Sequence, residues 1–363
     1  MEKALFKDQK LQAQFEKDGF VKIQLLEQGS VDSLNRYYQD QKFDNKIEAG
    51  FHISLDNQNE DLVNEVSQKI KETLLPKSDL FFQDYQSFTA SYVIKEPGKQ
   101  NIVPPHQDWT FVDENEFCSA TVWTPLLDVT ENNGALAVIK GSHRLFKHFR
   151  SSPSPQSKSP LSDHIFTLFP YTTVIEMKAG EALVFDNRLI HASPPNLSDQ
   201  ARVAVGIGIT SQEASLRHYY QNPKKENQLE AYEVSPSFFN YYNNKRLSDL
   251  FDKGELPSEL KQITSVSREV PSLTKEAMEK LVQQLDGVEY NHDFMERLAK
   301  LFNYSASRDK LETQKDKPIM EEKKEEQNST EYKDPRSFFQ KYTPLNIIRE
   351  ILWRLKGRPN LEE

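Results

Sequence analysis

The feature that most constrains this chain is the texture of residues 81–210, where short β-rich runs recur between strong turn signals. The runs fall at 88–94, 120–127, 135–139, 171–176, 182–185 and 203–209. Between them stand Glu96-Pro97-Gly98, Asn132-Asn133-Gly134, Lys140-Gly141-Ser142 and Ala179-Gly180. Asn and Gly tolerate positive φ, so Asn-Asn-Gly between two runs predicts a hairpin. Several short strands punctuated this way predict a sandwich, barrel or jelly roll. The absence of regular βα alternation argues against a doubly wound sheet.

The regions on either side have a different texture. Residues 4–17 read as a short amphipathic helix and 20–26 as a strand. Ser30 is placed to cap a helix running to about 41, and Asn59 another ending near 75, just before Pro76. Beyond 210, a strand is expected at 232–234 and a helix at 272–285. Residues 308–334 hold hardly any large apolar side chain and read as a charged flexible linker. Residues 343–356 form an amphipathic helical pattern with Pro344 at its first position and Gly357 at its stop. That helix suits either docking onto its own domain or a second subunit, or peripheral contact with a membrane or partner. The expected organisation is an N-terminal helical part at 1–80, a β core at 81–245, a helical segment at 246–306, the linker at 307–336 and the amphipathic helix at 337–363. Ser151–Pro160 interrupts the β region and reads as a mobile surface loop or as a lid over a barrel mouth.

Composition removes several function classes. The net charge of −9 is opposite to the concentrated positive surface that nucleic acid needs. A single cysteine, Cys118, permits neither an internal disulfide nor a thiolate metal site. No run is long and apolar enough for a membrane span, and no signal-peptide pattern opens the chain, so the cytoplasm is the expected compartment. Oligomeric state has no signature here.

His106 and Asp108 form a His-x-Asp pair within Pro104–Trp109. Residues two apart in an extended segment point to the same side, so an imidazole and a carboxylate can reach one metal ion. Two His and one carboxylate on one face of iron(II) leave three positions open. His191 follows the apolar run 181–190 and precedes a turn at Ser193-Pro194-Pro195, a position suited to the third ligand. Arg202 opens the apolar strand 203–209, where a guanidinium facing inward would need an anion. An arginine snorkelling to solvent at the strand edge fits the same pattern. His52, Lys147 and Arg150 are candidates for contacting an anionic substrate, or are simply solvated.

These motifs together resemble the phytanoyl-CoA dioxygenase family of Fe(II)/2-oxoglutarate-dependent oxygenases. The matching text is His106-Gln107-Asp108, Val122-Trp123-Thr124, Asn132–Leu136, Gly141-Ser142-His143 and His191-Ala192-Ser193 with Asn196, Ser198 and Arg202, in family order over roughly 10–240. The resemblance implies a mainly β, cupin-like double-stranded β-helix (jelly roll) with N-terminal helices and a C-terminal helical or flexible extension. It implies that His106, Asp108 and His191 bind Fe(2+), that Arg202 pairs with the distal carboxylate of the co-substrate 2-oxoglutarate, and that O2 is the oxidant. Trp123 would line the co-substrate pocket. Ser193 would add a hydroxyl to the carboxylate, or serve only as a turn residue. His143 reads as structural. The carboxylate at 108 implies hydroxylation of a small-molecule substrate rather than halogenation. Rival readings are an inactive family member that binds a ligand, membrane or partner, and a metal protein of similar fold that uses zinc for hydrolysis.

Overall fold

The computed structural model describes residues 3–301 except 42, 44–49, 155, 258, 259 and 269. Along the chain the strands are β1 (Phe20–Gln24), β2 (Phe51–Ile53), β3 (Tyr85–Lys95), β4 (Val103–His106), β5 (Ser119–Pro125), β6 (Ala137–Val138) and β7 (Thr173–Val174). They continue with β8 (Glu181–Asp186), β9 (His191–Ser193), β10 (Arg202–Ser211), β11 (Arg217–Gln221), β12 (Gln228–Glu233) and β13 (Lys261–Ser267). A six-stranded antiparallel sheet runs β1-β8-β5-β10-β3-β2, and a four-stranded sheet runs β4-β9-β6-β7. These two sheets carry the jelly roll. A third, β11-β12-β13, extends it.

Three helices, α1 (Gln9–Asp18), α2 (Gln28–Asp40) and α3 (Glu60–Ser78), precede the core. Among the described residues the later helices are α4 (Ile165–Leu168), α5 (Pro236–Tyr241), α6 (Asn244–Asp252), α7 (Lys275–Gln283) and α8 (His292–Leu301). Residues to Asn291 form one compact unit; α8 opens a second unit. The linker expected at 307–336 and the amphipathic helix expected at 343–356 lie outside the described residues. No helix among the described residues is long and apolar enough to cross a membrane.

Side-chain alternation along β10 organises the interior. Val203, Val205, Ile207 and Ile209 join a core with Leu34 of α2, Val66, Ile70 and Leu74 of α3, and Phe15 of α1. The alternate residue Ala204 packs instead with Trp123, Leu183, Phe185 and Val138, between the two sheets. Every residue of β10 is buried, so the strand reads as a continuous apolar run. Gly208 is required by close approach: a Cβ there would come within 2.6 Å of both Phe88 and Thr89.

Several expectations change in detail. α1 begins only at Gln9, because the Asp8 carboxylate accepts from the backbone N–H groups of Lys10 and Leu11. α2 begins at Gln28, so Ser30 lies inside the first turn rather than capping it. Asn59 does cap α3, accepting from the Leu62 N–H, but the helix continues through Pro76 to Ser78. The Asn132-Asn133-Gly134 turn does not close a hairpin. It carries the chain from β5 in one sheet to β6 in the other, since β5 pairs instead with β8 and β10. Of the run expected at 171–176, only Thr173–Val174 forms a strand, because Tyr171 is held in a 3-10 turn. The strand expected at 232–234 is the end of the longer β12, and the helix expected at 272–285 is α7, capped by Thr274. Ser151 and Ser152, at the start of the Ser/Pro segment, are buried. Ser152 exchanges backbone bonds with β11, donating to Tyr219 O and accepting from Gln221 N, so a freely mobile loop does not begin there.

Candidate metal centre and anion pocket

β4 and β9 pair antiparallel with His106 directly opposite His191, and the two imidazole centroids are 4.2 Å apart. Asp108 follows β4. Its backbone N–H donates to Asn187 O at 3.0 Å, and its carboxylate lies 3.8 Å from His191 Nε2. One ligand atom from each of His106, Asp108 and His191 lies within 4.8 Å of the others. Thr121 Oγ1 donates to the second carboxylate oxygen at 3.4 Å.

The imidazoles are oriented by their own chain. His106 Nδ1 sits 2.8 Å from Pro104 O, and His191 Nδ1 sits 3.0 Å from Leu189 O. A carbonyl accepts only, so each Nδ1 carries the proton and each Nε2 keeps its lone pair for a metal. Burial, followed by the neighbouring His191, pulls the His106 pKa down to about 4, which favours the neutral ligand form. Two neutral imidazole nitrogens and a carboxylate converging from one side suit a first-row divalent ion with its remaining positions open.

Arg202 is the first residue of β10 and is 1% exposed, which overturns the snorkelling alternative. Its guanidinium lies 5.1 Å from the Trp123 ring centroid. It donates only a long bond, 3.4 Å, to Val93 O, and its buried Nε has no partner. Burial pulls its pKa down to about 9. The indole Nε1 of Trp123 is a second buried donor without a partner. A buried cation and an orphan N–H on one wall are costly unless an acceptor anion enters. A carboxylate of a small molecule fits that requirement, because the guanidinium fork can hold both of its oxygens.

Lys95 is the residue that sequence reasoning missed. It stands opposite Arg202 in the β3–β10 register and is fully buried. Its ammonium donates to Ser193 Oγ at 2.6 Å, Ser193 O at 3.1 Å and Pro194 O at 2.5 Å. Burial, then Arg202, push its pKa well down. Ser193 Oγ in turn donates to Gly134 O at 2.8 Å. Gly134 has φ +79, and a Cβ there would meet Lys95 Cδ at 2.6 Å, which accounts for the glycine in Asn-Asn-Gly. The signal available for Lys95 was a lysine directly after the apolar triplet Tyr92-Val93-Ile94 of a mixed strand.

The remaining candidates separate. His52 is buried on β2, Lys147 is exposed, and His143 Nε2 lies 3.0 Å from Glu16 O in a structural contact. Arg150 is not solvated: it is 5% exposed and ion-paired with Glu114.

The fold is a jelly roll with a His-Asp-His cluster placed so that it could hold a metal ion. Residues 15–204, just over half of the chain, match the family described as "Phytanoyl-CoA dioxygenase (PhyH)", and the chain belongs to that family. It is 34% identical over 130 residues to "Phytanoyl-CoA dioxygenase" of Arabidopsis thaliana, covering 32% of this chain and 42% of that protein. It is 31% identical over 150 residues to "Phytanoyl-CoA dioxygenase domain-containing protein 1" of Danio rerio, covering 40% of this chain and 50% of that protein. The chain thus spans about half the length, or less, of the curated relatives it matches. Among solved structures, HygX from Streptomyces hygroscopicus, crystallised with nickel, 2-oxoglutarate and hygromycin B, is similar with TM-score 0.40 and 13% identity over 56% of this chain and 86% of that one. SnoK, a non-haem α-ketoglutarate-dependent carbocyclase from nogalamycin biosynthesis, is similar with TM-score 0.41 and 18% identity over 58% of this chain and 87% of that one.

Proposed function

We propose that this protein is an Fe(II)/2-oxoglutarate-dependent dioxygenase that hydroxylates an unactivated C–H bond of a small organic substrate of acyl, amino-acid or natural-product type, releasing succinate and CO2. The observation that carries this reading is the buried Arg202 guanidinium, short of acceptors, in a chain that also gathers His106, Asp108 and His191 around one point. A metal hydrolase would use the three ligands but has no need of that cation.

His106 Nε2, the Asp108 carboxylate and His191 Nε2 would hold the ferrous ion. Bound iron and 2-oxoglutarate supply O2 activation and the oxidising power for C–H cleavage. The protein contributes binding and orientation. Pro104 O and Leu189 O hold the two rings in the ligating tautomer. Arg202 would grip the distal carboxylate of 2-oxoglutarate, with the Trp123 ring lining that end of the pocket. Ser193 would add its hydroxyl to the same carboxylate only by giving up its bond to Gly134 O. The buried thiol of Cys118 and a ferrous ion both suit a reducing compartment, so we place the reaction in the cytoplasm.

The test is an anaerobic titration with Fe(II) and 2-oxoglutarate, following the visible charge-transfer band of the chelate. A screen for substrate-stimulated succinate release across the three substrate classes follows. Failure to bind 2-oxoglutarate in the presence of Fe(II) overturns the assignment. Binding with no turnover on any class points to the inactive ligand-binding alternative.

A further inference from the structure

We propose that Arg150 and Glu114 are a positioning pair that fixes the carboxylate ligand Asp108 by holding its backbone rather than its side chain. This rests on the metal-centre reading above and adds two residues to it.

Arg150 lies far from Asp108 in sequence, in the segment between the two sheets' strands, yet its guanidinium is committed to the ligand loop. Nε donates to Asp108 O at 2.6 Å. Nη2 reaches Trp109 O at 3.4 Å. Nη1 donates to Glu114 Oε2 at 2.8 Å, and Nη2 closes the fork on Glu114 Oε1. Two further bonds reinforce the join: Thr110 N donates to Arg150 O at 2.9 Å, and Arg150 N donates to the Thr110 side-chain Oγ1 at 2.9 Å. Both partners are largely buried, with side-chain exposures of 4% and 15%.

The consequence for Asp108 is geometric. Its N–H is held by Asn187 O, next to the turn that leads to His191, and its C=O is held by Arg150. The peptide groups on both sides of the ligand's Cα are therefore fixed. The side chain itself has only the long bond from Thr121 and is 30% exposed. Rigidity at this ligand comes from the main chain, and Arg150 supplies one of its two anchors. Glu114 holds the guanidinium at two points and balances its buried charge. A lysine at 150 would keep the charge but lose the planar fork, and could not reproduce the Nε bond to Asp108 O together with the two-point grip on Glu114.

The experiment compares wild type, Arg150→Lys and the double variant Arg150→Met/Glu114→Leu, using Co(II) alone as the probe. Metal affinity and the Co(II) d–d absorption are read alongside the thermal midpoint of the metal-free protein. The double variant removes the pair without stranding a buried charge, so it remains informative if Arg150→Lys fails to fold. We expect both variants to bind Co(II) about 10- to 100-fold more weakly, the range for residues that orient a metal ligand, and to show an altered d–d spectrum, with the metal-free midpoint of Arg150→Lys near wild type. A merely structural pair would lower the midpoint and leave the affinity and spectrum of the folded fraction unchanged; that result overturns the proposal. Failure of wild type to bind Co(II) would instead overturn the metal-centre reading, and the proposal with it.

Discussion

Lys95 and Arg202 face each other across β3 and β10 as two buried basic side chains, and the contacts of both are with backbone carbonyls and the Ser193 hydroxyl rather than with a carboxylate. Lys95 has three oxygen partners within hydrogen-bond distance, whereas Arg202 has one long one. The unmet demand therefore lies on Arg202. Arg202→Ala is expected to raise the Kd for 2-oxoglutarate about 10- to 100-fold, the worth of a charge-assisted contact of about 1.5–3 kcal/mol. Co(II) affinity should stay near wild type. Calorimetric titration of each ligand in turn separates the two effects.

Loss of a ligand should act on the metal first. Asp108→Ala and His191→Ala are each expected to abolish substrate-coupled succinate formation and weaken Co(II) binding by at least about 100-fold, since two remaining donors hold a divalent ion poorly. Treatment of wild type with a chelator should remove activity, and Fe(II) should restore it where Zn(II) does not. Full activity of His191→Ala with added iron would falsify the ligand assignment.

Gly134→Ala tests the turn beneath Ser193. The position needs φ +79 and has Lys95 Cδ at 2.6 Å from where a Cβ would stand. A destabilisation of about 1–3 kcal/mol is expected from backbone strain alone, read from the urea midpoint. A weaker grip on 2-oxoglutarate should accompany it, because Gly134 O, Ser193 and Lys95 are bonded in one chain.

Much of this centre was legible because its chemistry is concentrated in short stretches. His-x-Asp, a histidine at a strand end and an arginine opening an apolar strand each fall within a few residues of a periodicity signal. The rest was not legible because it depends on partners far apart in sequence. Arg150 reads as one more surface cation until the fold brings Asp108, Trp109 and Glu114 around it. Lys95 looks like the polar end of a strand, and only the β3–β10 register shows that it faces inward. β4 and β9 are too short to carry an alternation signal, although they seat both histidines. The Asn-Asn-Gly turn has the local chemistry of a hairpin, and local chemistry fixes the turn without fixing which sheet the chain enters next.

Acid should destabilise the fold in part through two buried histidines that are not themselves metal ligands in the proposed site, although His218 packs against Trp109 beside Asp108. Burial pushes His218 down to about 3, and burial followed by Arg150 does the same to His148. Their folded values lie below the unfolded value, so the unfolded chain binds more protons once the pH drops under about 6.5, and stability falls from there towards about pH 3. Urea midpoints of the metal-free protein should therefore decrease between pH 7 and pH 4. His148→Leu should flatten part of that slope; an unchanged slope would show that His148 does not contribute.

On the proposed reading, in which Arg202 grips 2-oxoglutarate, the division of labour along β10 makes strand pairing a condition for holding that acid at all. A slip of one position against β3 would exchange the two sides of the strand, sending the guanidinium of Arg202 into the hydrocarbon under α2 and α3 and turning Val203 towards the place of the dicarboxylate. Such a mispaired chain would strand a charge in oil and open a gap among packed aliphatics in the same stroke. Correct assembly of the barrel and competence to bind its small acid are therefore selected together.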